Sequence, residues 1–203
     1  HGPSSYIVSI PLNWIKKYNL KKGDEVSVEE NGNDIVVSAT SQESLEKVEI
    51  DINKTKDMTA EVIQALYKRG VDEVTTLFSK PEQFKAILYA LEQEAVGYEI
   101  IETGKSHCVI KSITKLSKEF DNVLRRIFLV TISLAEEGLN SIKEGHFAAL
   151  ANITILEKSN NKLTTFCRRY LNKYAVDKYD RIGPLYFIIE LLEKIADQYR
   201  YLY

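Results

Sequence analysis

The sequence predicts an α+β protein of several domains: a small β headpiece, a small α/β sandwich and a C-terminal antiparallel bundle of three helices. Apolar and polar residues alternate over short runs between residues 5 and 37, as in strands that bury one face. From about residue 46 to 112, strand patterns alternate with helical ones. After that, apolar residues recur at steps of three and four, the spacing of helices with one buried face. We therefore place domains at 1–41, 42–112 and 113–203.

Composition places the chain among ordinary water-soluble proteins. Its 203 residues are 44% hydrophobic and 28% charged. No run of 18 apolar residues indicates a membrane span, and no signal peptide opens the sequence, so we expect a cytoplasmic protein. Cys108 and Cys167 have no second thiol or histidine at metal-binding spacing, which argues against a zinc finger and favours two reduced, packed side chains.

The headpiece pattern is a strand, a short helix and a hairpin. Residues 5–10 alternate like a half-buried strand, and Pro11 suits the start of a helix that carries Trp14. Two further alternating runs, 25–30 and 35–37, flank an Asn-Gly turn, which is typical of a hairpin. A unit of roughly 40 residues buries too little apolar surface to fold alone. We therefore expect a homodimer or a higher homo-oligomer.

The segment from Ser4 to Pro11, with Trp14 and the run from Leu20 to Val26, resembles the swapped-hairpin AbrB/SpoVT family. This resemblance implies a dimerising headpiece that binds DNA. The basic residues available for contact with phosphates are Lys16, Lys17, Lys21 and Lys22. Residues 1–41 hold four basic and five acidic residues, so it is equally open that these lysines only solvate a helix and a turn.

The middle segment predicts the order β-α-β-α-β-β. Strand patterns cover 48–52, 71–78, 98–102 and 107–112, and helical patterns cover 59–67 and the residues after Pro81. Such an order suggests a sheet with helices on one face. We find no catalytic motif there. His107 and Cys108 are adjacent in a strand, so their side chains point to opposite faces and cannot act as a base and thiol pair.

Three long helices are predicted from three apolar seams. The first seam is Ile113, Leu116, Phe120, Val123, Ile127, Val130 and Leu134, in a helix that frays at Gly138 and Gly145. The second is Ala149, Ile153, Leu156, Asn160, Leu163, Cys167, Tyr170 and Tyr174. The third helix begins near Pro184, and its seam is Leu185, Ile188, Leu192, Ile195, Tyr199 and Leu202.

The helical part resembles the PhoU family of phosphate-uptake regulators. The run from Glu193 to Asp197 fits the family's E-x-x-x-D signature, and residues 119–126 look like helix one of archaeal members. Archaeal proteins that join an AbrB-like headpiece to a PhoU-like bundle share this order of segments. The resemblance implies a non-enzymatic regulator that contacts phosphate transporter or sensor proteins and binds iron, zinc, magnesium or manganese.

One departure concerns the number of repeats. A complete PhoU domain has two three-helix repeats, and this chain carries one. Either the chain is shortened, or the half-bundle packs against a second subunit through an aromatic end formed by Tyr199, Tyr201 and Tyr203.

Two clusters are candidate sites in the helices. Glu190, Glu193 and Asp197 follow one stripe of the third helix, and with Glu157 from its neighbour they could bind a hard metal ion. A solvated acidic stripe partly neutralised by Arg200 is the alternative. Separately, Arg168, Arg169 and Lys173 could form a surface for an anion or an acidic partner, or could simply be solvated.

The function predicted from these patterns is regulation of phosphate uptake through a dimeric headpiece and a metal-responsive bundle. The first alternative is a sequence-specific DNA-binding transcriptional regulator with the bundle as its sensor. A carboxylate-bridged metalloenzyme is the second alternative, but it needs histidine ligands, and the bundle has only His146, in a predicted turn.

Overall fold

The computed structural model of the chain describes residues 7–31, 33–39, 45–114, 120–175 and 182–203. These residues form two compact units, 1–45 and 46–203. The first boundary predicted from the sequence is at residue 41. The α/β part and the helices, which the sequence divides at residue 112, belong to the same unit.

The first unit contains one helix and one hairpin. Helix α1 covers Leu12–Lys17, strand β1 covers Val26–Asn31 and strand β2 covers Asp34–Ala39. The strands pair antiparallel, with Val28 opposite Val37. The helix after Pro11 and the hairpin are therefore confirmed. Gly23 has φ +100, so the turn between helix and hairpin uses the backbone freedom of glycine.

The hairpin has one apolar face that the single chain leaves open. Opposed residues share a face, and the pairs Val26 with Ala39 and Val28 with Val37 place apolar side chains together. None of the side chains that the structure describes between residues 7 and 39 is buried. The unit therefore has no core of its own in this stretch, as a small headpiece that dimerises should.

The strand predicted over residues 5–10 is not formed where the structure describes it. Residues 7–10 have no strand partner, and Ile7 and Val8 are 80% and 71% exposed. Ser5 and Tyr6 lie outside the described residues. A strand needs a neighbour for its backbone hydrogen bonds. In the single chain none is supplied to residues 7–10.

The second unit begins with a four-stranded sheet. Strands β3 (Lys47–Asp51), β4 (Glu73–Leu77), β5 (Tyr98–Thr103) and β6 (His107–Ser112) lie in the order β3-β4-β6-β5. Strands β3 and β4 are parallel, and the other pairs are antiparallel. Helix α2 (Thr59–Arg69) joins β3 to β4, and helix α3 (Pro81–Gln93) joins β4 to β5. The predicted order of elements is confirmed.

Helices α2 and α3 pack on the same face of this sheet. Ile63 of α2 and Ile87 of α3 are fully buried in one core with Val74 and Ile110 from the strands. Cys108 belongs to that core, whereas His107 lies on the other face, 3.3 Å from Glu102. The prediction that these two neighbours diverge is confirmed.

Three long helices follow. They are α4 (Phe120–Lys143), α5 (Ala151–Tyr174) and α6 (Ile182–Leu202). The ring of Phe120 stacks on that of Tyr170, near the end of α5, so α4 and α5 are antiparallel. Arg168 near the end of α5 contacts Glu190 near the start of α6, so α5 and α6 are antiparallel as well. Helices α4 and α6 are therefore parallel to each other.

The apolar seam predicted for the third helix is wrong in part. Ile189, Leu192 and Ala196 are the buried residues of α6, while Ile188, Ile195 and Leu202 are 43%, 43% and 70% exposed. Leucine and isoleucine occur on two neighbouring stripes of this helix, so spacing alone could not choose between them. In the structure, the stripe of α6 that faces the core is the one that includes the small residue Ala196.

The first helix also differs from its prediction. Ile113 precedes α4 and is 62% exposed, and Leu116 lies outside the described residues. Gly138 does not fray the helix: it is buried inside α4, and the ring of Tyr203 fills the place where a Cβ would stand. No helix in the described part of the chain has the length and apolar character of a membrane span.

Candidate functional site

The four lysines predicted to meet DNA lie on α1 and on the turn after it. Lys16 and Lys17 form the last turn of α1, and Lys21 and Lys22 follow within a few residues. All four are exposed. The backbone N–H of Lys21 donates to Asp24 Oδ2 at 2.7 Å, which closes the turn that carries two of the lysines.

Two aromatic side chains pack against each other at helix α1. The rings of Trp14 and Tyr18 lie 5.1 Å apart, and the Lys17 Nζ is 5.3 Å from the centre of the Tyr18 ring. Such a cation over an aromatic face is worth about 0.5–1 kcal/mol at an exposed site. The arrangement holds Lys17 beside the ring and leaves Lys16 directed to solvent. This group of lysines can contact the phosphates of a nucleic acid backbone.

The acids predicted to bind a metal ion lie beside arginine side chains of the same chain. Arg168 of α5 is buried and forms ion pairs with both Glu190 and Glu193 of α6. Thr164 also donates a hydrogen bond to Glu193, at 3.2 Å. A guanidinium placed between two carboxylates supplies the charge that a metal ion would otherwise bring.

The other two acids lie one to two turns away, near Arg200. Glu157 is 3% exposed, accepts a hydrogen bond from Asn161 at 2.7 Å and lies 3.9 Å from Arg200 Nε. Burial raises the pKa of Glu157, and its hydrogen bond to Asp197 and the charge of that residue add to the rise, while Arg200 opposes it. Glu157 therefore binds a proton more readily than an exposed glutamate does.

The structure does not bring the four predicted acids together as metal ligands. They divide into a pair on Arg168 and a pair near Arg200, and no group of three acid, histidine or cysteine side chains in the described ranges is arranged to hold a metal ion. The sequence revealed the acids but not their partners, because which residues face them depends on how α5 and α6 are rotated.

Arg169 lies inside the molecule, which corrects the predicted anion surface. It is 1% exposed and donates hydrogen bonds to the backbone oxygens of Tyr67 and Val71, at 2.9 and 2.7 Å. Its guanidinium carbon also lies 4.8 and 5.2 Å from the ring centres of Tyr67 and Tyr98. The residue therefore joins α5 to the α/β part of the unit.

Asp72 completes this junction. Lys173 donates to its Oδ1, and Arg169 Nη2 lies 3.5 Å from the same atom. The other carboxylate oxygen of Asp72 accepts from the backbone N–H of Glu46 at 3.0 Å. Asp72 was not singled out from the sequence, where its only signal is its place two residues after the glycine that ends α2. With Arg168 also buried, the basic cluster on α5 serves internal contacts.

Comparison with known proteins identifies the first unit. Residues 2–44 match the family described as antidote-toxin recognition MazE, bacterial antitoxin. Comparisons with curated proteins and with solved structures find no match. The match covers the described helix, turn and hairpin, and it agrees with the AbrB-like headpiece expected from the sequence.

These findings favour one of the sequence-based expectations over the other. The chain carries an N-terminal MazE/AbrB-like antitoxin domain, and domains of this kind commonly form dimers and bind DNA. Nothing in the comparisons supports the PhoU-like helices, an archaeal source or a transporter partner. The alternative of a DNA-binding regulator is therefore closer to the findings than regulation of phosphate uptake.

Proposed function

We propose that the chain is a dimeric DNA-binding regulator, in which the MazE/AbrB-like domain contacts DNA and residues 46–203 modulate that contact. The match of residues 2–44 carries the proposal. It is supported by the exposed apolar face of the hairpin, which offers a surface for pairing, and by four exposed lysines on α1 and the following turn.

Two copies would bring eight of these lysines to one DNA duplex. Each lysine that neutralises a phosphate releases a counterion, so the logarithm of the affinity falls with the logarithm of salt with a slope of about −0.9 per contact. If half of the lysines make contact, the slope is about −4, moderate among DNA-binding proteins. Sequence preference has to come from other side chains, since contacts to phosphates carry no base information.

The test is fluorescence anisotropy with the full-length protein and labelled duplexes, at several salt concentrations. We expect the Lys16→Glu, Lys17→Glu double variant to weaken binding at least tenfold and to reduce the salt slope. The double variant Lys85→Glu, Lys105→Glu, at exposed positions of α3 and of the turn between β5 and β6, is the matched control with the same change of charge and should retain the wild-type slope. Equal loss in both variants, or binding without any salt slope, would contradict the proposal.

The same match supports a second candidate, an antitoxin. The matched family is described as a bacterial antitoxin that recognises a toxin. In that case the chain would both bind DNA and restrain a toxic partner. Deleting the gene separates the candidates: loss of an antitoxin should arrest growth unless the toxin gene is deleted too, whereas loss of a regulator should change transcript levels in growing cells.

The proposal assigns no catalytic step to this chain. Burial raises the pKa of Cys167 to about 12 and also raises that of Cys108, so both thiols are protonated near neutral pH and are poor nucleophiles. Regulation of phosphate uptake is a finer assignment that rests only on the resemblance of the helices to PhoU. A test is whether phosphate changes the DNA affinity measured above.

A further inference from the structure

Helices α4 and α6 carry apolar side chains that the described chain leaves exposed. One stripe on α4 consists of Phe128, Ile132, Leu139 and Ile142, and one on α6 consists of Ile188, Leu191, Ile195 and Leu202; Leu129 and Phe187 are exposed as well but lie off these stripes. Steps of three, four and seven separate the members of each stripe, which is the spacing of a helix seam that packs on another helix. Among the large apolar side chains described on α5, the exposed one is Ile155.

Both stripes border the same outer groove. Tyr203, directly after α6, donates to the backbone oxygen of Ala135 at 3.3 Å, so the end of α6 lies on the side of α4 that carries Ala135. Phe128 and Ile142 precede and follow Ala135 by seven residues and so lie on that side too. On α6, the acids that contact α5 occupy one flank, and Ile188, Leu191 and Ile195 occupy the opposite flank, next to α4.

The size of this surface, which we call the α4/α6 face, is that of an interface. Its eight side chains are 40–70% exposed. With roughly 150–250 Å² for each large apolar side chain, the face offers about 700 Å² per copy. That value exceeds the ~300–600 Å² of the largest patch on a typical monomer. It is close to the ~800 Å² that each partner buries in a standard interface.

The charges beside the α4 stripe complement those of a second copy. Asp121 and Arg125 are exposed near the start of the 24-residue helix, and Glu136 and Lys143 are exposed in its second half. A twofold axis through the midpoint of α4, beside Ile132, makes two copies of the helix antiparallel. It then brings Arg125 within one helical turn of the other copy's Glu136, and Asp121 within one turn of the other copy's Lys143.

From this geometry we propose that the α4/α6 face binds the same face of a second copy of the chain, with the two α4 helices antiparallel about Ile132. This contact is separate from the pairing expected of the N-terminal domain and does not depend on DNA binding.

The test is symmetric crosslinking of the full-length protein. Ile132→Cys places two thiols near the twofold axis, so mild oxidation should give a covalent dimer, seen on a denaturing gel without reductant. Ile155→Cys is the matched control: Ile155, on the outer side of α5, is 67% exposed against 52% for Ile132, and the variant should still crosslink at least tenfold less. The native Cys108 and Cys167 are buried and should contribute little in either variant.

A charge exchange then tests the orientation. In the Ile132→Cys background, Arg125→Glu should lower the crosslink yield severalfold, because it sets like charges opposite each other. Adding Glu136→Arg should restore the yield. A yield at residue 132 no higher than at residue 155, or one that the double exchange fails to restore, overturns the proposal. If residue 132 crosslinks no better than residue 155, the α4/α6 face would bind a different kind of partner.

Discussion

The side chain of Arg169 donates a hydrogen bond to the backbone oxygen of Val71 at 2.7 Å, joining the middle of the helical part to the end of α2. The sequence predicts two separate domains here and an arginine on the surface, either in contact with an anion or acidic partner or simply solvated. Instead the residue is buried, with its charge met by Asp72 and its plane over two tyrosine rings. A rearrangement of the helices would therefore disturb the sheet domain, which is one way for residues 46–203 to act as a single responsive body.

Arg169→Ala should be strongly destabilising. The change removes two hydrogen bonds to backbone oxygens and one of the two cations that contact the buried Asp72 carboxylate, leaving Lys173 and the backbone N–H of Glu46. Breaking one side of a buried ionic network costs about 3–5 kcal/mol. We expect a loss of this size in the free energy of unfolding measured by urea denaturation. Arg126→Ala, at an exposed position on α4, should change it by less than about 0.5 kcal/mol.

Arg169→Lys refines this prediction. Lysine retains the charge but cannot donate to two carbonyls in a fixed fork or stack on aromatic rings. If the fork and the stacking matter, as the structure indicates, the lysine variant should recover less than half of the stability that the alanine variant loses. If the lysine variant recovers all of the lost stability, Arg169 contributes only its positive charge.

The periodicity of the sequence predicted most of the elements, since each of them depends on which of its own residues are apolar. The contacts between elements were harder to predict from the sequence. Helix α6 has apolar residues on two neighbouring stripes, so Ile188 and Ile195 were placed inside although the structure exposes them. The partners of Arg168 and Arg169 depend on the rotation of packed helices, which no spacing within one helix encodes.

Stability should depend on pH through Glu157. The folded protein raises the pKa of this carboxyl above 4.5, chiefly by burial, so it binds the proton more tightly than the unfolded chain does. The resulting stabilisation is complete below about pH 4.5 and is lost as pH rises through the raised pKa. Glu157→Gln retains an acceptor for Asn161 and abolishes this titration.

Urea denaturation of Glu157→Gln between pH 4 and 7.5 checks this expectation. Near neutral pH the variant should be at least as stable as the wild type, because the penalised negative charge is absent. Its stability should also fall less between acid and neutral pH. Glu61→Gln, at an exposed position of α2, is the control and should follow the wild-type profile. A variant that is less stable at neutral pH would show that the attraction of Arg200 outweighs burial.

Gly138 and Tyr203 should show strong coupling. An added Cβ at position 138 would overlap the Tyr203 ring, which stacks on Tyr199 at 6.1 Å. In a Tyr203→Ala background, Gly138→Ala should stabilise the protein by about 0.5–1 kcal/mol, because alanine is the better helix former. In the wild type the same change must displace the ring, so we expect a net loss.

A double-mutant cycle from denaturation curves measures this coupling, which we expect at about 1–3 kcal/mol for residues in direct contact. Additive effects would mean that Tyr203 does not occupy the surface of Gly138 in solution. The contact also corrects the predicted aromatic end: Tyr199 and Tyr203 are half-buried against α4, and Tyr201 alone of the three is 72% exposed.

Two variants in strand β1 test whether the N-terminal domain dimerises through its hairpin. Val28 is 61% exposed on the apolar face of the hairpin, and its neighbour Ser27 points to the opposite face. If the dimer buries the apolar face, Val28→Asp places an unpaired charge in the contact and should raise the dimer dissociation constant at least tenfold, or about 1.4 kcal/mol. Ser27→Asp adds the same charge to the other face and should leave the constant nearly unchanged. Sedimentation equilibrium of both full-length variants gives the comparison, and equal constants would move the headpiece contact away from the apolar face of the hairpin.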